Sequence, residues 1–360
     1  MPRNLYPSVD AMLAPETLSV ITRRSIATVQ RQPFNSVDSL SGSRFLQVET
    51  NGGAGPRFVL KRISLDTDWV MRATEDERGR AVLAWQSGLI DRKPPEIAPE
   101  VVAGAVDGSG WALLLHDACP ALVPPADVPI SREEQEILLS AMAALHATFW
   151  NERPIADLTL GWTTLRQRYL ELSPQTGARE AGGPDQIPRV IAEGWKLFWT
   201  LVEPPVRDLV RELLTDSTRL VTALQRYPQT VIHGDWKLGN LGIWRETPPR
   251  VVLLDWAVYG LAPPAVDLAW YLAVNSSRLP VSKEATIASY RQALIGRLGA
   301  GFDESWWTPQ LELSLLGGLL QLGWPKSYGV VHNDTEEARD RERAELAWWS
   351  AHALAAERYL

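Results

Sequence analysis

At 360 residues the chain exceeds one typical domain and suggests two, and its 45% hydrophobic and 22% charged residues are an ordinary globular balance with enough apolar side chains for a sizeable core. A net charge of −7 and no long Lys/Arg run argue against nucleic-acid binding through a broad basic face. The single cysteine, Cys119, rules out an intramolecular disulfide framework, fits a reducing cytoplasmic setting and reads as a small buried filler; MPRNLYPSVD lacks the apolar run of a signal peptide, and no stretch approaches about 18 uninterrupted apolar residues, so no membrane span is expected.

The first ~115 residues read as strands with one helix. Ser19 to Gln32 half-alternates and Ser43 to Thr50 alternates better. Asn51-Gly52-Gly53 then offers a hairpin turn, because Asn and Gly tolerate positive φ, and Arg57 to Ile63 is the return strand. A helix is expected from Asp68 to Ser87, stopped by Gly88. PPEIAPEVV connects into a short strand, and the unbroken apolar run Trp111 to Leu115 is a buried strand. After the Pro-rich crossing ALVPPADVP, Ser131 to Trp150 is a strong helix in which Ser131 and Glu134 form a capping box. Residues 160–226 read mostly helical. Val231-Ile232 and Val251 to Leu254 are short strands, and helices resume at Val266 to Ala273 and fill the rest. Strand-rich first and helix-rich second implies an α+β chain: a small β-sheet lobe, residues 1–118, and a larger mostly helical lobe, residues 119–360.

VIHGDWKLGN, Val231 to Asn240, carries the chemistry. An Asp held by a loop can accept a proton from a hydroxyl nucleophile. A Lys two positions on can reach the oxygens of a transferring phosphoryl group, and an Asn five positions on supplies a neutral oxygen for Mg2+. Phosphoryl transfer needs these jobs done near one point, since positioning and charge neutralisation provide most of its catalysis. A second carboxylate for the metal is required, because Mg2+ takes hard oxygen ligands and bridges phosphates. Asp255, 15 residues after Asn240 in VVLLDWAVYG, follows a strand that would return it to the same hairpin end.

HGDWKLGN followed by LLDW, with PPAVDLAWYL beyond, resembles the catalytic and metal-binding loops of the aminoglycoside phosphotransferase and choline kinase-like family. The resemblance implies a bilobal protein-kinase-like fold, Asp235 as catalytic base, Asn240 and Asp255 as Mg2+ ligands, and His233 and Asp267 as braces of the loop. Where many relatives carry a His-Pro type pair, this chain has Lys237-Leu238. Asp-x-Lys-x-x-Asn is closer to the Ser/Thr protein-kinase loop, in which Lys237 would contact the γ-phosphate. The resemblance further implies that Lys61, in FVLKRIS, grips the α- and β-phosphates of ATP, paired with an acid on the next helix, Glu75 or, preferably, Glu77. The loop Ser39-Leu40-Ser41-Gly42-Ser43 would cover the phosphates. His116 C=O and Ala118 N–H, in WALLLHDA, would read adenine, with Leu115 guarding the back pocket.

His146, on an apolar helix face, reads as a satisfied core histidine. No His/Cys cluster has zinc spacing and no G-x-S-x-G elbow is present. The family's acceptor pocket lies in the C-terminal helices, where Trp195, Phe198, Trp199, Trp306, Trp307 and Trp324 could bind an ammonium or stack on a sugar, or could be plain helix packing. The expected activity is ATP- and Mg2+-dependent phosphorylation of a small-molecule hydroxyl on an aminoglycoside or related antibiotic, an amino alcohol such as choline, or a sugar. A protein-directed kinase is disfavoured because no A-P-E-like activation segment lies between Asp255 and Asp267. An idle nucleotide-binding module is disfavoured because base, Lys and both metal positions are filled.

Overall fold

Successive side chains of a strand face opposite sides of its sheet, and this rule arranges the first sheet. The computed structural model describes residues 3–34, 41–126, 128–151 and 160–360; Ser39 and Leu40 lie outside the described residues. Strands β1 (Val29–Phe34), β2 (Arg44–Thr50), β3 (Arg57–Ile63), β4 (Val101–Asp107) and β5 (Gly110–His116) pair antiparallel in the order β1-β2-β3-β5-β4. The turn between β2 and β3 forms at Asn51, Gly52 and Gly53, all with positive φ. Phe58 and Leu60 of β3 enter a core with Val48, Ala112 and Leu114. Lys61, one residue out of phase, faces the other side, opposite Phe45 on β2 and Leu113 on β5.

Two expectations for this region are corrected. Two short helices, Val9–Leu13 and Pro15–Thr22, precede the sheet, and their Met12, Leu13 and Leu18 close the Phe58 core. Part of the half-alternating stretch that begins at Ser19 is therefore helix. Its hydroxyls explain the misreading: residues that suit strands here bond back along a helix, Ser19 Oγ to Pro15 O at 2.7 Å and Thr22 Oγ1 to Leu18 O at 2.7 Å. The single helix expected over 68–87 is two, Trp69–Ala73 and Arg80–Gln86. Between them Glu75 has φ +55° and Gly79 φ +68°, and the Asp76 carboxylate accepts from the Arg80 N–H at 2.8 Å. The Arg80 guanidinium is held by Thr74 Oγ1, Thr74 O and Gly161 O. A polar side-chain network thus replaces the helical ladder across the break.

The described residues divide into two compact units. One lies within Met1–Ala126, Leu158–Gly161 and Leu238–Ala257, the other within Asp127–Asp157, Trp162–Lys237 and Val258–Leu360. The first holds the five-stranded sheet and a hairpin described below. The second is built on helices, among them Arg132–Thr148, Ile187–Leu201, Ala265–Val274, Lys283–Leu298, Glu304–His332 and Glu336–Ala356. Ser131 and Glu134 form the expected capping box on the first of these. Glu304–His332 leaves helical geometry at Leu322, three residues before Pro325, whose ring cannot accommodate a regular preceding turn. Trp195 and Phe198 are fully buried and Trp306, Trp307 and Trp324 nearly so, among the helices of this unit. Cys119 is exposed, not a buried filler. No described helix is long and apolar enough to cross a membrane.

Candidate active site

In the second unit a short strand, β6 (Thr230–Ile232), runs into His233-Gly234-Asp235. The turn is tight because Gly234 has φ +83° and a Cβ there would lie 2.3 Å from the Val258 carbonyl. Asp267, on helix Ala265–Val274, accepts the His233 N–H at 2.7 Å and the Gly234 N–H at 2.8 Å. Its Oδ2 also meets His146 Nε2 at 3.2 Å, and His146 Nδ1 lies 2.5 Å from the Tyr290 hydroxyl. Asp267 and His146 are wholly buried. Burial alone would raise the Asp267 carboxyl; its hydrogen bond to His146, the His146 and His233 charges and the Gly234 N–H outweigh that and hold it below the usual range. Asp267 therefore braces the loop, and His146 is a satisfied core histidine.

Beyond the brace, Lys237 Nζ sits 3.1 Å from Asp235 Oδ2, and the Lys237 N–H donates to Asp235 O at 2.9 Å. The Gly234 carbonyl accepts from the Arg168 guanidinium, which stacks 4.2 Å over the Trp270 ring and pairs with Glu171 at 2.8 Å. Burial raises the Glu171 carboxyl, with the Arg168 charge opposing. Neither Arg168 nor Glu171 stands out in the sequence, because LRQRYLE reads as an ordinary helix face.

The first unit carries the other half of the motif. β7 (Leu241–Trp244) and β8 (Arg250–Leu253) form a hairpin with Leu241 opposite Leu253. Asn240 immediately precedes β7 and Asp255 closely follows β8, so both stand at the hairpin's open end, where the Leu254 N–H donates to Asn240 O at 2.9 Å. Asp255 has φ +65°, left-handed backbone that Asp and Asn tolerate better than most non-glycine residues. Its Oδ1 lies 2.7 Å from Lys61 Nζ, whose side chain is 8% exposed. Leu113, Leu115 and Leu253 line a small apolar cavity beside this pair.

Glu77 is not the partner of Lys61. It is exposed, as is Glu75, in the interrupted segment between the two short helices, and Lys61 pairs with Asp255. The nearby buried acid is Asp68, read from the sequence only as a helix start. Burial raises its carboxyl, and the Lys61 charge is the largest opposing influence. Asp68 Oδ1 caps the Val70 and Met71 N–H groups, while Oδ2 accepts from Ser43 Oγ at 3.1 Å. Ser43 Oγ lies 3.1 Å from Ser41 Oγ, and the Trp69 N–H donates to Ser41 O at 3.1 Å. Gly42, between the two serines, has φ +87°. At the other end of the sheet the His116 N–H donates to Glu100 O at 2.8 Å; β5 ends there, and Ala118 follows, buried, with its carbonyl accepting from Ala121 and Leu122.

Residues 38–309 match the model of the phosphotransferase enzyme family. The chain belongs to that family. It is a phosphotransferase of α+β architecture. A search of curated proteins finds no match. Among solved structures, the phosphotransferase is similar to the ethanolamine kinase of Plasmodium vivax, with 11% identity, 89% of this chain and 82% of that chain covered, and a TM-score of 0.49. It is also similar to a choline kinase of Streptococcus pneumoniae (12% identity, 93% and 96% covered, TM-score 0.46). A third is the aminoglycoside phosphotransferase APH(3'')-Id of Streptomyces rimosus (18% identity, 81% and 93% covered, TM-score 0.45).

Proposed function

We propose that this phosphotransferase moves the γ-phosphoryl group of ATP to a hydroxyl of a small molecule, in the cytoplasm where ATP is supplied. The observation that carries the reading is the Lys61–Asp255 pair at 2.7 Å, at the end of the hairpin that Asn240 opens. Lys61 would neutralise the α- and β-phosphates, Ser41, Gly42 and Ser43 would cover them, and the His116 carbonyl with the Ala118 N–H would read the adenine. Asp235 would accept the proton of the acceptor hydroxyl as its oxygen bonds to the γ-phosphorus and ADP leaves. Lys237, already 3.1 Å from Asp235, would hold charge on the transferring group.

A magnesium ion fits the donors. No described group of three or more His, Cys, Asp or Glu residues could hold a metal. One carboxylate, Asp255, and one amide oxygen, Asn240, are however the sparse set of hard ligands that Mg2+ takes when phosphates and waters supply the rest. Bound there, Mg2+ would neutralise the phosphate oxygens. Candidate acceptors are an aminoglycoside or other sugar-containing antibiotic, an amino alcohol, or a free sugar.

ADP release from Mg·ATP, measured with wild type and Asp235→Asn against a panel of those three classes, tests the reading. Acceptor-dependent turnover is expected, with kcat falling about 10²-fold or more in the variant, the usual worth of a general base. Nucleotide binding with no turnover on any acceptor, or equal turnover by Asp235→Asn, would refute it.

A further inference from the structure

Asp267 holds only one side of Gly234. Its Oδ1 accepts the Gly234 N–H at 2.8 Å, and that N–H belongs to the peptide before the glycine. The peptide that carries Asp235 begins one bond later, and glycine has no Cβ to restrict rotation about that bond. A turn of about 20° there would move a carboxylate about 3 Å from the axis by about 1 Å, with both Asp267 bonds to the loop intact. A second clamp acts on this peptide. Its carbonyl, Gly234 O, accepts from Arg168 Nη2, and its N–H, on Asp235, reaches His233 Nδ1 at 3.2 Å. Arg168 is 2% exposed. Its Nη1 donates to Glu171 Oε2 at 2.8 Å, and its guanidinium lies 4.2 Å from the centre of the Trp270 ring, on the helix that also carries Asp267. Arg168 is itself fixed from outside the loop. Its short helix, Leu165–Leu170, follows Thr163, whose N–H donates to Tyr259 O at 3.0 Å, and the Arg168 carbonyl accepts from Gln321 Nε2 at 3.2 Å. A planar fork can meet a carbonyl, a carboxylate and an aromatic face together, which a lysine ammonium cannot do.

We propose that Arg168 is a positioning residue that fixes the peptide between Gly234 and Asp235 and so aims the Asp235 carboxylate, with Glu171 as its counter-ion and Trp270 as its platform. This rests on the phosphotransfer reading, in which Asp235 is the base. Asp267 then sets where the loop turns, and Arg168 sets the rotation beyond the turn. The two anchors carry opposite charges because they hold opposite groups: the carboxylate receives N–H groups, and the guanidinium donates to a carbonyl. Glu171 is required because a guanidinium buried this deeply needs an opposite charge beside it. Aim matters, since a misplacement of about 1 Å can cost about 10²-fold in rate. The simpler role for Arg168 is to hold its unit together. That role loosens the whole loop when Arg168 is replaced, whereas the clamp loosens one amide and spares its neighbour.

Residue-resolved hydrogen exchange and ADP release from Mg·ATP, both on the full chain, separate the two roles in Arg168→Lys and Glu171→Gln, with thermal melting alongside. ADP release is followed with water as the acceptor and with the three acceptor classes named above. Arg168→Lys keeps a charge beside Glu171 but loses the fork. Its Asp235 N–H should exchange about tenfold faster, the size of one lost charge-assisted hydrogen bond, while the Gly234 N–H, still on Asp267, keeps its wild-type rate. Its kcat should fall about 10²-fold with the KM for ATP unchanged, because the residues proposed to hold ATP lie in the other unit. Glu171→Gln, which leaves the guanidinium a neutral oxygen to hold, should show the same pattern at severalfold size. Equal acceleration at Gly234 and Asp235, no acceleration at either, or a wild-type kcat in Arg168→Lys would overturn the proposal. If Arg168→Lys melts far below wild type, Glu171→Gln decides on the same criteria. A wild type that releases no ADP with water or any acceptor defeats the phosphotransfer reading instead, and the exchange rates of the two amides still judge the clamp.

Discussion

Asp267→Asn tests how the loop that carries Asp235 is held. The wild-type carboxylate is wholly buried and receives the His233 and Gly234 N–H groups at 2.7 and 2.8 Å and His146 at 3.2 Å. Hydrogen bonds to a charged group contribute about 1.5–3 kcal/mol each. The amide keeps one accepting oxygen but turns an NH2 toward a buried donor, so at least one bond is lost and another opposed. A loss of about 3 kcal/mol follows, within the range for breaking a buried pair. Spread over a unit of this size, that lowers the melting temperature by about 6–12 °C. The pH dependence has a definite sign. The folded pKa of Asp267 lies below its unfolded value. Its stabilisation is therefore complete above the unfolded value of about 3.9 and lost as pH falls through the folded one. The gap between wild type and variant should be full at pH 7 and narrow below about pH 4. Circular-dichroism melts at pH 7 and pH 3 measure both. A variant melting within about 1 °C of wild type at pH 7, or a gap that widens in acid, would refute this account of the loop.

Two further outcomes follow from positions already described. Glu77→Ala should change stability by less than about 0.5 kcal/mol, as surface substitutions do, and leave the KM for ATP unaltered; a KM raised tenfold would restore Glu77 as the partner of Lys61. Gly234→Ala forces a Cβ to 2.3 Å from the Val258 carbonyl at φ +83°, an overlap with backbone that cannot turn aside. It should cost about 2–4 kcal/mol in a melt and most of the turnover, and a variant as stable and active as wild type would show that the turn is not so confined.

The sequence was most legible where chemistry or alternation repeats over short distances. Strand β3 begins and ends where its pattern does, and the capping box at Ser131 and Glu134 forms as spelled. The turn at Asn51-Gly52-Gly53 likewise needs only local backbone freedom. The hairpin ends at Asn240 and Asp255 were readable because an apolar strand delivers the second residue back beside the first. What failed were features decided by distant partners. Arg80 holds Thr74 and Gly161 together and so interrupts a helix whose periodicity looked continuous. The glutamates expected beside Lys61 lie at the surface for the same reason. The break carries Glu75 and Glu77 to the surface and leaves Asp68, at the first helix start, buried. A clue was present: Thr74, Asp76 and Gly79 within six positions are poor helix formers, and their side chains compete for the backbone groups that a continuous helix would use. Taken together with Asp68 as a favourable N-cap, whose carboxylate accepts from the Val70 and Met71 N–H groups, they mark a helix that starts at 69 and stops within two turns.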